Sequence, residues 1–202
     1  TIETGYQDMT TDEVLKILLP QEEVGEVPSA FEAAGHVAHL NLRDECLPYK
    51  YWIGKVILDK NQPRIRTVVT KLGNIENEYR TFGMEVIAGT QEEGWSRVVV
   101  KEERCSFSLD FREVYWNSRL AGEHKRLVSF LHKASRKRKE PLIIADLKAG
   151  VGPFAVPLTT TTTTHHQNQH NVIVHANDLN PASFKYLEIN RTKNKCHTLH
   201  CH

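Results

Sequence analysis

The chain has 202 residues, 40% hydrophobic and 25% charged, which excludes a disordered chain and leaves room for one large domain or two small ones. No stretch approaches the roughly 18 consecutive apolar residues of a membrane helix, and no basic-then-apolar leader follows Thr1. Four cysteines, Cys46, Cys105, Cys196 and Cys201, are too few and too scattered for a disulfide scaffold, which favours a reducing compartment.

The net charge of +1 hides an asymmetry. Residues 1–34 carry eight acids and one base, Lys16, and the remaining 168 residues carry 25 bases and 17 acids. An acidic leader ahead of a basic body suits a polyanionic partner, and it suits ordinary solvated faces equally well. Within the leader, Thr10 and Glu13 have capping-box spacing ahead of Val14, Leu15, Ile17 and Leu18, predicting a short helix that Pro20 stops. Pro20, Gly25 and Pro28 then read as a linker.

From Gly35 the texture changes. His36–Leu42 predicts a strand, and the i,i+4 pairs Trp52/Val56 and Ile53/Ile57 predict a helix through about Leu58. Ile65–Thr70, Gly83–Ala88, Ser96–Lys101 and Cys105–Phe111 read as further strands, so residues 35–110 are expected to form a small α+β domain.

Residues 111–202 have a different rhythm. Arg119–Leu131 predicts a helix with Leu120, Leu127 and Leu131 on neighbouring turns, overlapping a run from Lys125 to Lys139 with seven bases and no acid. Leu142–Ala145 is continuously apolar, as in a strand buried on both faces of a parallel sheet. A glycine turn follows, then a second strand at Asn171–Ala176 and a helix at Pro181–Asn190 with Phe184, Leu187 and Ile189 inward. This order predicts the start of a doubly wound, Rossmann-like α/β sheet. Between the strands, residues 159–170, a threonine tract running into a His/Asn/Gln tract, are low in complexity and expected to be a surface insertion.

The chemistry concentrates after the first buried strand. In Asp146-Leu147-Lys148-Ala149-Gly150-Val151-Gly152, the glycines allow a tight turn and close approach of backbone to a ligand. Asp178 closes the second strand, where a carboxylate can hold the two hydroxyls of a ribose. The arrangement reads as a nucleoside-cofactor site. The alternative is a plain tight turn beside a helix-capping aspartate. No third glycine completes G-x-G-x-x-G, which disfavours a nicotinamide cofactor against S-adenosylmethionine.

Five segments in order, Gly35–Asn61, Glu78–Gly89, Asp110–Val128 (DFREVYWNSRLAGEHKRLV), Asp146–Leu158 (DLKAGVGPFAVPL) and His175–Lys195 (HANDLNPASFKYLEINRTKNK), resemble the archaeal and eukaryotic tRNA (guanine-N1-)-methyltransferase family. The resemblance covers about residues 26–195. It implies a small tRNA-contacting domain followed by a class I methyltransferase domain, with a methyl group passed from S-adenosylmethionine to guanosine 37, 3′ of the anticodon. By position in the motifs, it implies that Glu123 is the general base for guanine N1, that Arg80 approaches the target guanine, and that Arg119 arranges Glu123. Tyr115, Asp146, Ala149, Gly150, Gly152, Asp178 and Asn180 would hold the cofactor. Without the resemblance, Glu123 and Arg119 would be read as a surface ion pair, and Tyr115 as core.

The resemblance further implies a monomer whose partner is the anticodon stem-loop of tRNA, with no membrane and no metal, in the cytoplasm or nucleus with a mitochondrial matrix pool. Its rivals are a wybutosine-pathway aminocarboxypropyltransferase on tRNA and a catalytically inactive tRNA-binding fragment. Two departures stand out. Ala121-Gly122 replaces a hydroxyl-bearing pair, and Lys148 stands where the family usually carries Phe. The family's sheet also continues further, so an incomplete methyltransferase domain with two strands is expected. The tail Cys196-His197-Thr198-Leu199-His200-Cys201-His202 is rich in ligand-type side chains but lacks the paired spacing of a zinc site.

Overall fold

The computed structural model describes residues 5–73, 78, 79, 81–160 and 172–202. It divides into two units, Thr1–Glu76 with Phe82–Ser96, and Asn77–Thr81 with Arg97–His202. The boundary expected at residue 110 therefore falls after Ser96, and the acidic leader is no separate segment. Among the described residues, no helix is long and apolar enough to cross a membrane.

In the first unit, Thr10 and Glu13 form the expected capping box: Glu13 Oε2 accepts from the Thr10 N–H at 2.7 Å and Thr10 Oγ1 from the Glu13 N–H at 3.3 Å. Helix α1 (Thr11–Leu18) buries Val14 and Leu15, while Ile17 lies on its exposed side. Leu19, Val24 of α2 (Gln21–Val24) and Val27 join the same core, which is why the leader folds into this unit. Strands β1 (Glu32–Ala34) and β2 (Val37–Leu40) are antiparallel. Helix α3 (Lys50–Asn61) carries the chain across to β3 (Thr67–Leu72), which runs parallel to β2 and antiparallel to β4 (Gly83–Gly89). Ile53, Val56 and Ile57 face the sheet, but Trp52, expected to pair with Val56, is 64% exposed.

The second unit begins with a hairpin of β5 (Arg97–Glu102) and β6 (Cys105–Asp110). Helix α4 (Ala121–Ser135) turns His124, Val128 and Ser135 inward. Strand β7 (Leu142–Asp146), α5 (Ala155–Thr159), β8 (Val172–Ala176), α6 (Pro181–Lys193) and β9 (Leu199–Cys201) follow. The sheet runs β7-β8-β9, all parallel.

Three expectations need correction here. The sheet has three strands where two were expected, because the Cys/His-rich tail supplies β9; its Leu199 is buried, and His175 of β8 stacks on both His200 and His202. Strand β7 is not buried on both faces: no described element covers its second face, and Ile143 there is 67% exposed. On α6 the inward stripe is Ser183, Tyr186, Leu187 and Asn190, and Ile189 faces outward. A polar Asn at the end of the stripe hid its phase.

That Asn explains why the β5–β6 hairpin belongs to this unit. The Ser108 N–H donates to Asn190 Oδ1 at 2.8 Å, and Asn190 Nδ2 returns a bond to the Ser108 carbonyl at 3.1 Å. One turn on, Asn194 makes the same pair with Ser106, at 2.8 and 2.9 Å. Two residues of strand advance about 6.8 Å and four of helix about 6.0 Å, so the two amides match the free edge of β6 in step. They do for that edge what a further strand would do.

Part of the expected insertion is also integral. Thr159 Oγ1 donates to the Ala155 carbonyl and Thr160 Oγ1 to the Asn194 carbonyl, both at 2.7 Å. The rest of that run lies outside the described residues.

Candidate functional site

The loops after β7 and β8 are stitched together by backbone: Asn177 N–H to Asp146 O and Ala149 N–H to Asn177 O, each 2.9 Å. Gly150 and Gly152 hold φ of +56° and +98°, in the left-handed region that side chains other than glycine rarely adopt. They differ in what a side chain would meet. A Cβ on Gly150 would have open space, whereas one on Gly152 would lie 2.7 Å from Val156 Cγ2 and 2.9 Å from Leu187 Cδ1. The first glycine keeps a surface open and the second lets α5 and α6 close behind it.

Asp178, just beyond β8, grips this turn. Its Oδ2 accepts from the Gly150 N–H at 2.8 Å and its Oδ1 from the Asn180 N–H at 2.9 Å. The Asn180 amide is committed to the fold, capping α6 through Ala182 N–H at 2.9 Å and donating to the Glu113 carbonyl at 2.7 Å. Asp146 has a buried Oδ2 with no hydrogen-bond partner among the described residues. Burial pushes its carboxyl above the ordinary carboxylate range; the Lys148 N–H offsets part of that, and nearby Asp178 adds to the rise.

A pocket of about 450 Å³ opens over the turn. Tyr115, Ala149, Gly150, Asp178 and Asn180 line it; Asp146 and Gly152 support it from the β7–α5 connection. Three further predicted residues are not among the pocket's described lining. Arg80 lies outside the described residues. Glu123 and Arg119 do not line the pocket, and both are exposed. Glu123 makes a bidentate pair with Arg126, at 2.6 and 2.7 Å. The Arg126 hydrogen bonds hold the Glu123 carboxyl below its usual range. Arg126→Ala is therefore expected to move the Glu123 titration upward, read by NMR, with the thermal midpoint unchanged because both side chains are solvated. An unmoved titration would show that Arg126 does not set that carboxyl.

Sequence reasoning missed the pocket's aromatic back wall. His124 Nδ1 is 2.6 Å from Glu102 Oε1, with only 6% and 9% of the two side chains exposed. The His124 ring meets Phe154 edge-on at 4.8 Å and tilts toward Trp116 at 6.4 Å. One imidazole thus joins β5, α4 and the start of α5. The only signal was the His beside Glu123, and a surface-helix reading gives it no special place. Leu179, next to Asp178, is 70% exposed on the pocket rim.

The residues fit an adenosyl-amino-acid cofactor. An orphaned carboxylate oxygen beside a second carboxylate calls for hydroxyl or ammonium donors, and the open Gly150 surface admits close approach. Among the described residues no group of three or more His, Cys, Asp or Glu is placed to hold a metal ion.

Strand, glycine turn, helix, strand with terminal acid, and helix define the cofactor-binding half of a Rossmann-like, class I methyltransferase domain. A profile of the TRM5/TYW2 methyltransferase domain matches residues 98–200, and one of the TYW2 N-terminal domain matches residues 11–93. The chain belongs to the TRM5/TYW2 methyltransferase family. It is 63% identical over 202 residues to a tRNA (guanine(37)-N(1))-methyltransferase of Phaeodactylum tricornutum, covering 100% of this chain and 44% of that relative. Less than half of the relative's length is therefore represented. The structure of Trm5b from Pyrococcus abyssi superposes with a TM-score of 0.70 at 29% identity, over 91% of this chain and 49% of that one. aTrm5 in complex with tRNALeu shares the fold, with a TM-score of 0.73 at 22% identity, over 95% and 52% of the two chains.

Proposed function

We propose that the chain forms the N-terminal domain and the cofactor-binding half of an S-adenosylmethionine-dependent tRNA (guanine-N1-)-methyltransferase acting on guanosine 37. The observation that carries this reading is Asp178 locked onto the Gly150 turn at the floor of the pocket. When bound, the cofactor supplies an electrophilic methyl group on a sulfonium. Asp178 would hold the ribose hydroxyls with the lone pairs its two backbone donors leave free, and Asp146 would support it from behind with one unpartnered carboxylate oxygen. Tyr115 and Leu179 offer apolar surface at the rim for flat rings.

Glu123 is the proposed acceptor of the guanine N1 proton. For that role its carboxylate must exchange Arg126 for the substrate, and release from Arg126 makes it a stronger base. The basic run on and after α4 supplies exposed cations for phosphate contacts along the anticodon stem-loop. The proposed form is a monomer.

The 63% identity to a protein named a guanosine-37 methyltransferase supports methyl transfer over the aminocarboxypropyl alternative. Product mass on a tRNA transcript separates the two. The proposal expects a methyl increment on guanosine 37, lost on a transcript carrying adenosine there. An aminocarboxypropyl increment, or methylation that persists on the adenosine transcript, would contradict it.

A further inference from the structure

The pocket wall is largely aromatic and apolar, and its carboxylates outnumber its lysines and arginines among the described residues. Glu78 and Asp178 line it, with Asp146 behind. Among the described lining residues, Lys148 is the only Lys or Arg. Its ammonium has no ion pair or side-chain hydrogen bond among the described residues, and the side chain is exposed. Every other strongly charged group at this turn is engaged or buried: Asp178 by two backbone N–H groups, Asp146 by burial.

We propose that Lys148 is the specificity-determining residue for the amino-acid end of the cofactor, taking its carboxylate. The inference rests on the cofactor reading above. The ligand carries two cationic centres, a sulfonium and an ammonium, and one anionic group. The carboxylates of the wall attract the cations and repel the carboxylate, so Lys148 is the one lining group whose charge favours it. An unpaired lysine also changes little on binding. Among the described residues it has no side-chain partner to give up, and its four-carbon stem lets the ammonium follow the ligand while the stem covers apolar wall. Were Lys148 turned toward the sulfonium instead, the two cations would repel and the residue would weaken binding. For S-adenosylmethionine the two orientations predict opposite signs for its removal; for S-adenosylhomocysteine, whose sulfur is neutral, only the carboxylate-facing one predicts a loss.

Calorimetric titration of the full chain tests this with two probes. One is S-adenosylhomocysteine. The other is its decarboxylated analogue, which keeps the adenosine, the sulfur and the amine. Lys148→Met is expected to weaken S-adenosylhomocysteine about tenfold and leave the analogue unchanged, while Lys148→Arg keeps most of the wild-type affinity. Equal weakening of both probes would overturn the proposal and make Lys148 a shape residue. Unchanged or tighter S-adenosylhomocysteine binding in Lys148→Met would overturn it too, and unchanged cofactor binding with weakened tRNA binding would assign the lysine to phosphate. No binding of either probe to folded wild-type chain would overturn the cofactor reading itself, and this inference with it.

Discussion

Replacing Asn190 by Ala should cost about 4 kcal/mol of stability, among the largest losses available to a single side chain here. Asn190 is fully buried and makes three bonds: it accepts from the Ser108 N–H and donates to the Ser108 and Val151 carbonyls. Alanine leaves three backbone groups without a partner, in a place where water does not readily replace the amide. Each costs roughly 1–3 kcal/mol. The Val151 bond reaches the glycine turn, so the same substitution should also loosen the cofactor pocket. Asn190→Asp is expected to be worse, because it loses the donor and places a charge at a buried site. Asn190→Ser, which keeps a smaller donor and acceptor, should fall between wild type and Ala. Urea unfolding reads all three. A loss under about 1 kcal/mol for Ala would show that the hairpin is held by its apolar face alone.

Replacing Asp178 by Ala should separate binding from folding. Its carboxylate holds two loop N–H groups, at 2.8 and 2.9 Å, both part-buried. Their release should cost about 2 kcal/mol, leaving the chain folded. Cofactor affinity should fall much further, about a hundredfold, because the ribose loses a charged acceptor and the Gly150 turn loses its anchor. Asp178→Asn keeps an acceptor for one N–H and should recover most of the stability. It should recover little of the binding, since the amide brings a donor where the ribose hydroxyls need acceptors. Far-UV circular dichroism with calorimetry distinguishes the two effects. Parallel losses in both quantities for Asn would show that Asp178 acts only as a cap.

The Rossmann-like half was legible where local signals agree with tertiary packing. Leu142–Ala145, the glycine turn and the strand before Asp178 are placed close to where the structure has them, because parallel strands favour apolar residues and turns at positive φ favour glycine. The legibility ended where polar residues do structural work. Asn190 and Asn194 look like surface residues until Ser106 and Ser108 are seen to present a free strand edge beside them. The same blindness put the domain boundary after the hairpin instead of before it. Strand β9 was obscured by its composition: His200 and Cys201 read as ligands, yet they pair in register with His175 and Ala176.

The site divides along the same line. Asp178, Gly150 and Tyr115 are brought to one pocket. Glu123, on α4, does not line it, and its carboxylate is turned to Arg126, a rotamer choice that no sequence pattern encodes. The His124–Glu102 pair was invisible because its partner lies 22 residues earlier on a strand.

The central claim is that this turn and acid form an S-adenosylmethionine site. The most direct measurement is a calorimetric titration of that cofactor into the full chain and into Asp178→Ala, each first shown to be folded. Micromolar binding to the wild type, weakened about a hundredfold in the variant, is the predicted result. No heat from folded wild-type chain at millimolar cofactor, or equal affinity in the two proteins, would contradict it.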